Sequence, residues 1–162
     1  MSTVSALEAV QGFLRIDATL STAGQPTPEQ LSALGAAGIG HVINLALPSS
    51  MDAVADEAVR VTGQGINYLQ LPVQWEAPEI AQFQRFCQLL WALREEPVLV
   101  HCARNKRVSV FVFLYRVLHE GVAVTEAAEL MHQVWVPNPV WFDFIEAVLE
   151  PVGEFYRLPE LQ

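Results

Sequence analysis

The segment VLVHCARNKRVSVF, residues 98–111, combines a cysteine with a local concentration of positive charge. The chain has nine Lys and Arg residues against 18 Asp and Glu, a formal net charge of -9, yet Arg104, Lys106 and Arg107 all follow Cys102 within five positions. The apolar run before Cys102 predicts a buried strand, and the apolar run after the loop predicts a helix. Such strand-to-helix turns are where open α/β sheets bind ligands.

This loop predicts an anion site that contains a nucleophile. Unpaired N–H groups in the first turn of a helix attract anions, and the basic side chains add full positive charges. The same surroundings favour the thiolate form of Cys102, which is the nucleophilic form of cysteine. Cys87, in contrast, is in helical register with Ile80, Phe83 and Leu90, so we expect it to pack in the core.

Strands and helices alternate along the chain around this loop. The apolar patterns predict strands at 18–22, 41–47, 66–73 and 97–102. They predict a helix from residue 27 to Gly38 or Gly40, and helices at 51–65, 78–96 and 107–120, then a helix capped by Thr125 and a last one from Pro139. The first helix has Thr27 as N-cap and Gln30 to complete a capping box. Alternating strands and helices predict a three-layer α/β/α fold with a central, mostly parallel sheet flanked by helices.

Composition indicates a single globular domain over residues 1–162, located in the cytoplasm with reduced thiols. The chain is 52% hydrophobic, but its apolar runs stay below the roughly 18 residues of a membrane span, and we identify no signal-peptide pattern. Its acidic charge argues against nucleic acid and anionic membranes as partners. His41, His119 and His132 have no spaced ligand set, so we predict no metal and no cofactor. The oligomeric state stays open.

The sequence resembles the cysteine-dependent protein tyrosine and dual-specificity phosphatases, and in particular a compact bacterial branch of them. The resemblance rests on His101-Cys102 after a buried strand, on the Arg and Ser that open the next helix, and on three further segments: STAGQPTPEQLSALGAAGIGHVINL, LPVQWEAP and WVPNPVWFDFIEAV. It covers roughly residues 15–148. It implies a phosphatase-like fold and hydrolysis of phosphate monoesters, such as phosphotyrosine or other aryl phosphates, through a cysteinyl-phosphate intermediate. The implied partner is a phosphorylated protein or small molecule.

Carried over by position, the resemblance implies a role for each residue of the loop. Cys102 would be the nucleophile, His101 would orient the loop and stabilise the thiolate, and Arg107 would bind two phosphate oxygens. Ser109 is in the place of the family's hydroxyl residue. Asn105 replaces the family's central glycine, and Asn tolerates left-handed backbone angles. Backbone N–H groups would complete the phosphate-binding loop, from Ala103, Arg104, Asn105, Lys106 and Arg107.

Two features depart from the family pattern His-Cys-x5-Arg-Ser/Thr. Arg107 comes five positions after Cys102 instead of six. Either the loop is one residue tighter and Ser109 is displaced, or the helix keeps its register and Arg107 points elsewhere. The position expected for the catalytic Asp holds Gln74, so Glu76 is the candidate acid, with stabilisation of a helix N-terminus as the equal alternative.

These departures leave two other functions open. Rhodanese-like sulfurtransferases also place a catalytic cysteine between strand and helix, with a loop as short as CARNKR. A catalytically inactive pseudophosphatase would keep the phosphate-binding loop but lack an acid, in line with Gln74. Among nearby residues, we expect Asp52 and Asp56 to cap a helix and remain solvated. Trp75 is the aromatic residue that we would place at the pocket, with packing in the core as the favoured alternative.

Overall fold

A computed structural model describes residues 3–159, and within this range five strands form one sheet. The strands are β1 (Leu14–Arg15), β2 (Leu20–Ala23), β3 (His41–Asn44), β4 (Asn67–Gln70) and β5 (Val98–His101). Their spatial order is β1-β2-β5-β3-β4, and all neighbours pair in parallel except β1 with β2. Because β5 is the central strand, Cys102 lies at the middle of the sheet's carboxyl edge.

Helices cover both faces of the sheet. They are α1 (Thr3–Glu8), α2 (Pro28–Ser32), α3 (Glu57–Thr62), α4 (Ile80–Ala92), α5 (Lys106–Glu120), α6 (Val124–His132) and α7 (Pro139–Leu149), followed by a 3₁₀ turn at Glu150–Val152. Alternate strand residues face opposite sides. Val42 and Leu99 pack with α1 to α3, whereas Ile43, Val98 and Val100 pack with α4 to α7. The predicted three-layer α/β/α fold is confirmed.

Helix α5 lies between the sheet and the outer helices. Every residue from Arg107 to Tyr115 is buried, and α5 contacts β2, α4, α6 and α7. A helix enclosed on all sides needs apolar residues around its whole circumference, which explains the nearly continuous apolar run of this segment. Its first turn is therefore held firmly at the end of β5. Among the described residues, no helix is long and apolar enough to cross a membrane.

The capping box of α2 is confirmed, but the helix is shorter than predicted. The Thr27 side chain accepts from the Gln30 N–H, and the Gln30 side chain accepts from the Thr27 N–H. The α-helix ends at Ser32, and hydrogen bonds of the i to i+3 type continue the turns as far as Gly38. Two glycines in this stretch disfavour a regular helix, which accounts for the tighter turns.

The predictions around α3 and α6 need correction. The helix predicted over 51–65 is reduced to α3 because Asp52 has a φ of +66°, which a right-handed helix does not allow. Asp56 is at the N-cap without a capping hydrogen bond; its carboxylate instead accepts from Arg60 Nε at 2.9 Å. The expectation that both Asp side chains cap the helix was wrong. So was Thr125 as N-cap, because that position belongs to Ala123.

Candidate active site

A cavity of about 550 Å³ opens at the carboxyl edge of the sheet. Three segments line it: the loop 102–107 after β5, the segment 74–76 after β4, and residues between 47 and 51 after β3. Since β3, β4 and β5 are parallel neighbours, their carboxyl ends meet at this edge, and segments far apart in sequence converge. Both departures from the family pattern, Arg107 and Gln74, are among the lining residues.

The loop after β5 is held by the side chain of Asn105. Asn105 is the N-cap of α5 and has a φ of +65°, in the left-handed region that favours Gly and Asn. Its Nδ2 donates to the Gly12 carbonyl at 2.7 Å and to Thr22 Oγ1 at 3.1 Å. The substitution of Asn for a family glycine therefore keeps the turn and adds hydrogen bonds to β2 and the segment before β1.

The Gly-Gln-Pro segment after β2 also packs against the loop. Gly24 forms an isolated antiparallel bridge with Arg104, and the Gln25 N–H donates to the Ala103 carbonyl at 3.0 Å. A Cβ at Gly24 would lie 2.8 Å from that carbonyl oxygen, too close for any side chain. This contact explains why the segment that packs against the cysteine loop needs a glycine at position 24.

Arg107 faces the cavity, as in the first of the two arrangements that its spacing left open. Its side chain lines the cavity with Cys102, and Nη1 donates to the Val73 carbonyl at 2.8 Å. Ser109 does not line the cavity: its hydroxyl donates to the Lys106 carbonyl at 2.7 Å and accepts from Trp135 Nε1 at 3.0 Å. With the tighter loop, Arg107 thus lines the cavity and Ser109 does not.

His101, fully buried beside Cys102, contacts a carboxylate that the sequence analysis missed. Its Nε2 lies 2.6 Å from Glu57 Oε2, and Gln25 Nε2 donates to Glu57 Oε1 at 2.8 Å. Burial alone would raise the pKa of Glu57, but hydrogen bonds and charge from His101, with further donors Gln25 and Tyr68, hold that pKa below its ordinary value. The sequence offered one signal: Glu57 lies one turn before the apolar Val61 on α3, so the two residues share one face of the helix.

The segment after β4 forms the wall of the cavity opposite the loop. Gln74 and Glu76 are exposed, and Trp75 lies between them with 38% of its surface accessible. The Trp75 ring packs 5.3 Å from the Trp135 ring and 6.0 Å from the Trp141 ring, and its carbonyl accepts from Trp141 Nε1 at 2.9 Å. Trp75 combines the two roles considered for it, because it lines the cavity and also packs against Trp135 and Trp141. Glu76 lines the same cavity. Its role as an acid stays a prediction.

The other two cations of the loop, Arg104 and Lys106, also line the cavity. Arg104 Nη1 donates to Gln11 Oε1 at 2.8 Å, and its Nη2 lies 3.4 Å from Asp52 Oδ2. Lys106 Nζ lies 5.4 Å from the centre of the Trp135 ring, within cation–π distance. Asp52 therefore pairs with the loop at the surface, where solvent weakens the attraction.

Comparisons with known proteins find one matching family model and several similar folds. A family model described as "DSP-PTPase phosphatase fused to NAD+ Kinase" matches residues 8–136, which is most of the chain. The crystal structure of the DUF442 protein from Shewanella putrefaciens CN-32 superposes with a TM-score of 0.81 and is 28% identical in sequence. The match covers 93% of this chain and 99% of that one.

Two other solved structures share the fold at lower identity. Tk-PTP in its active form is 18% identical, with a TM-score of 0.73 over 86% of this chain and 97% of its own. TpbA from P. aeruginosa, in complex with phosphotyrosine, is 23% identical, with a TM-score of 0.62 over 75% of this chain and 72% of its own. At these identities the likeness concerns the fold alone. Among curated proteins, no sequence matches this chain.

Proposed function

We propose that this chain, which belongs to the cysteine-dependent dual-specificity phosphatase family, hydrolyses phosphate monoesters through a cysteinyl-phosphate intermediate on Cys102. The observation that supports this most strongly is that Cys102 and Arg107 line one cavity at the N-terminus of α5. Family membership supports phosphatase activity in general. TpbA, a relative in fold, binds phosphotyrosine in its crystal structure, so aryl phosphates are the first substrate class to test.

In the first proposed step, the Cys102 thiolate attacks phosphorus. The S–P bond forms as the P–O bond to the leaving group breaks, and Glu76 donates a proton to the departing oxygen. Arg107 has one N–H engaged with the Val73 carbonyl, which leaves other guanidinium donors for the phosphoryl oxygens. Backbone N–H groups of residues 103–107 bind the same oxygens at the start of α5.

In the second proposed step, water releases the phosphate. The Glu76 carboxylate accepts a proton from water as its oxygen attacks phosphorus, and the P–S bond breaks to restore the Cys102 thiolate. Ser109 acts indirectly here: its hydroxyl binds the Lys106 carbonyl and Trp135, and it thereby fixes the first turn of α5. We expect slow hydrolysis of substrates with poor leaving groups, since Glu76 lies two positions from where the family has its acid.

Capture of the intermediate tests this proposal directly. The full chain is mixed with p-nitrophenyl phosphate or a phosphotyrosine peptide, quenched in acid and digested, and the peptide that contains Cys102 is examined by mass spectrometry. We expect a phosphoryl group on that peptide in the parent protein and neither adduct nor turnover in Cys102→Ser. Turnover that persists in Cys102→Ser would contradict the mechanism.

The five-position spacing supports a sulfurtransferase as the second candidate, and the same cavity tests it. Transfer of sulfur from thiosulfate to cyanide, with a persulfide on Cys102 and no aryl phosphate hydrolysis, would favour that function. Phosphate binding that raises the melting temperature, without turnover of any substrate, would favour the inactive phosphate-binding protein.

Because the matching family model names a fusion to an NAD+ kinase, NADP+ belongs among the phosphate monoesters tested as substrates.

A further inference from the structure

The contact between Glu57 and His101 joins two buried ionisable groups behind the cysteine loop. His101 ends the central strand β5, and Glu57 begins α3 on one face of the sheet. Their side chains are 0% and 5% exposed, with 2.6 Å between Nε2 and Oε2. Charges so deeply buried are costly unless they are paired and hydrogen-bonded. This arrangement therefore needs an account of which group holds a proton.

Donors and acceptors around the imidazole fix the number of protons that the pair holds. His101 Nδ1 lies 3.2 Å from the Cys102 carbonyl oxygen, which can only accept, so Nδ1 must bear a proton. Nε2 faces the Glu57 carboxyl group, so that contact needs a proton as well. A neutral imidazole has only one N–H. The second proton makes either an imidazolium beside a carboxylate, or a neutral imidazole beside a carboxylic acid.

The surroundings of Glu57 favour the imidazolium with the carboxylate. Its other oxygen accepts from Gln25 Nε2, a donor that stabilises the ionised form. Tyr68 of β4 is also near Glu57, and burial raises the pKa of Tyr68 to about 12, so this hydroxyl stays neutral and able to donate. Asn44 of β3 donates to the Tyr68 oxygen and completes the set of polar neighbours.

We propose that Glu57 is a positioning residue for Cys102: its carboxylate keeps His101 as a buried imidazolium, and this charge keeps the adjacent thiol ionised. The role rests on the proposed function only in that Cys102 is the nucleophile there. The imidazolium donates through Nδ1 to the Cys102 carbonyl oxygen at 3.2 Å. In surroundings of low dielectric constant, its charge adds to the effect of the α5 N-terminus and Arg107 on the thiolate.

Imidazole NMR of the parent protein tests the proton count without any substitution. We expect both ring nitrogens of His101 to be protonated across neutral pH, and we expect the Glu57→Gln variant to show a neutral ring with one protonated nitrogen. Glu57→Gln keeps the shape and the capacity for a hydrogen bond but loses the charge. A neutral His101 ring in the parent protein at neutral pH would overturn the proposal.

Alkylation of Cys102 by iodoacetamide tests the consequence and does not depend on phosphatase turnover. We expect Glu57→Gln to slow alkylation at least about tenfold near pH 6.5, and to move the midpoint of its pH profile upward by at least about one unit. Asp56→Asn is the matched control, because Asp56 is the preceding acid and pairs with Arg60 at the surface. Equal profiles for the parent protein and Glu57→Gln, with both folded by circular dichroism, would overturn the proposal.

Discussion

The two cysteines of this chain lie beside cavities of similar size and differ in what surrounds the sulfur. Cys87 lines a groove of about 690 Å³ between α4, α5 and α7, with apolar neighbours such as Trp91 and Leu118. Burial raises the pKa of Cys87 to about 12. Cys102 is at least as buried, yet its cavity is lined by three cations at a helix N-terminus. Charge and donors, more than cavity volume, thus distinguish a candidate active site from a hydrophobic groove.

The largest expected effect is on catalysis, when each of the two cysteines is replaced in turn. Because the thiolate forms the intermediate, Cys102→Ser should lower hydrolysis of p-nitrophenyl phosphate by at least about 10⁴-fold. Cys87→Ser should retain activity within about twofold, because Cys87 lines the groove between α4, α5 and α7 and not the cavity of Cys102. Steady-state kinetics of the two purified variants measure this. Comparable losses in both variants would remove the distinction between the cavities.

Two arginines allow the same comparison for positive charge. Arg107→Ala should lower kcat/KM by about 10² to 10³-fold, because it removes the proposed donors to the transition-state oxygens. Arg94→Ala is the control, since Arg94 stacks 4.1 Å from the Trp91 ring beside the groove of Cys87. We expect a change of less than about twofold there. Full activity in Arg107→Ala would show that the shortened loop does not use this residue.

Glu76 and Glu79 differ in whether they line the cavity. Glu76→Gln should lower kcat by about 10²-fold for alkyl phosphates, which need a proton on the leaving oxygen, and less for p-nitrophenyl phosphate. Glu79→Gln serves as the control, because Glu79 is the N-cap of α4 and its side chain makes no capping bond. Equal kcat values for the parent protein and Glu76→Gln on alkyl phosphates would show that Glu76 is not the acid.

The smallest expected effect concerns stability and its pH dependence. Cys87→Ala should cost about 1 kcal/mol of unfolding free energy at neutral pH, from lost packing. Above about pH 8.5 the unfolded thiol ionises, whereas the folded thiol stays protonated up to about pH 12. The folded state then binds more protons than the unfolded state, so the parent's advantage over Cys87→Ala should narrow as pH rises. Denaturant titrations at several pH values measure it; a constant difference would contradict the cause given.

Local sequence patterns predicted most of the fold. Apolar runs and turn residues located the major strands and helices, because in this fold both sheet faces are buried and periodicity follows directly from packing. They did not predict α1 or β1, because such short elements have little pattern of their own. The boundaries of α3 failed for a similar reason: Asp52 adopts a left-handed conformation that its sequence neighbours do not announce.

The site was predictable where its residues are consecutive and unpredictable where they are not. The loop from Cys102 to Arg107 brings its charges together in one stretch of sequence, so its chemistry could be inferred. Glu57 and the Val73 carbonyl reach the loop only through tertiary packing, and one sequence contains no record of such contacts. The direction of the Arg107 side chain likewise could not be predicted, because the same spacing fits either of two helix orientations.

The close approach of Gly24 to Ala103 has a consequence for how related chains can diverge. Since no side chain fits between the two backbones, a mutation at either segment constrains which mutations the other accepts. We expect related chains to keep the Gly-Gln-Pro segment together with the cysteine loop. The loop should change length only in chains where the glycine no longer contacts it. The Gly-Gln-Pro tripeptide would then identify chains with the tight loop even where the residues of the loop have changed.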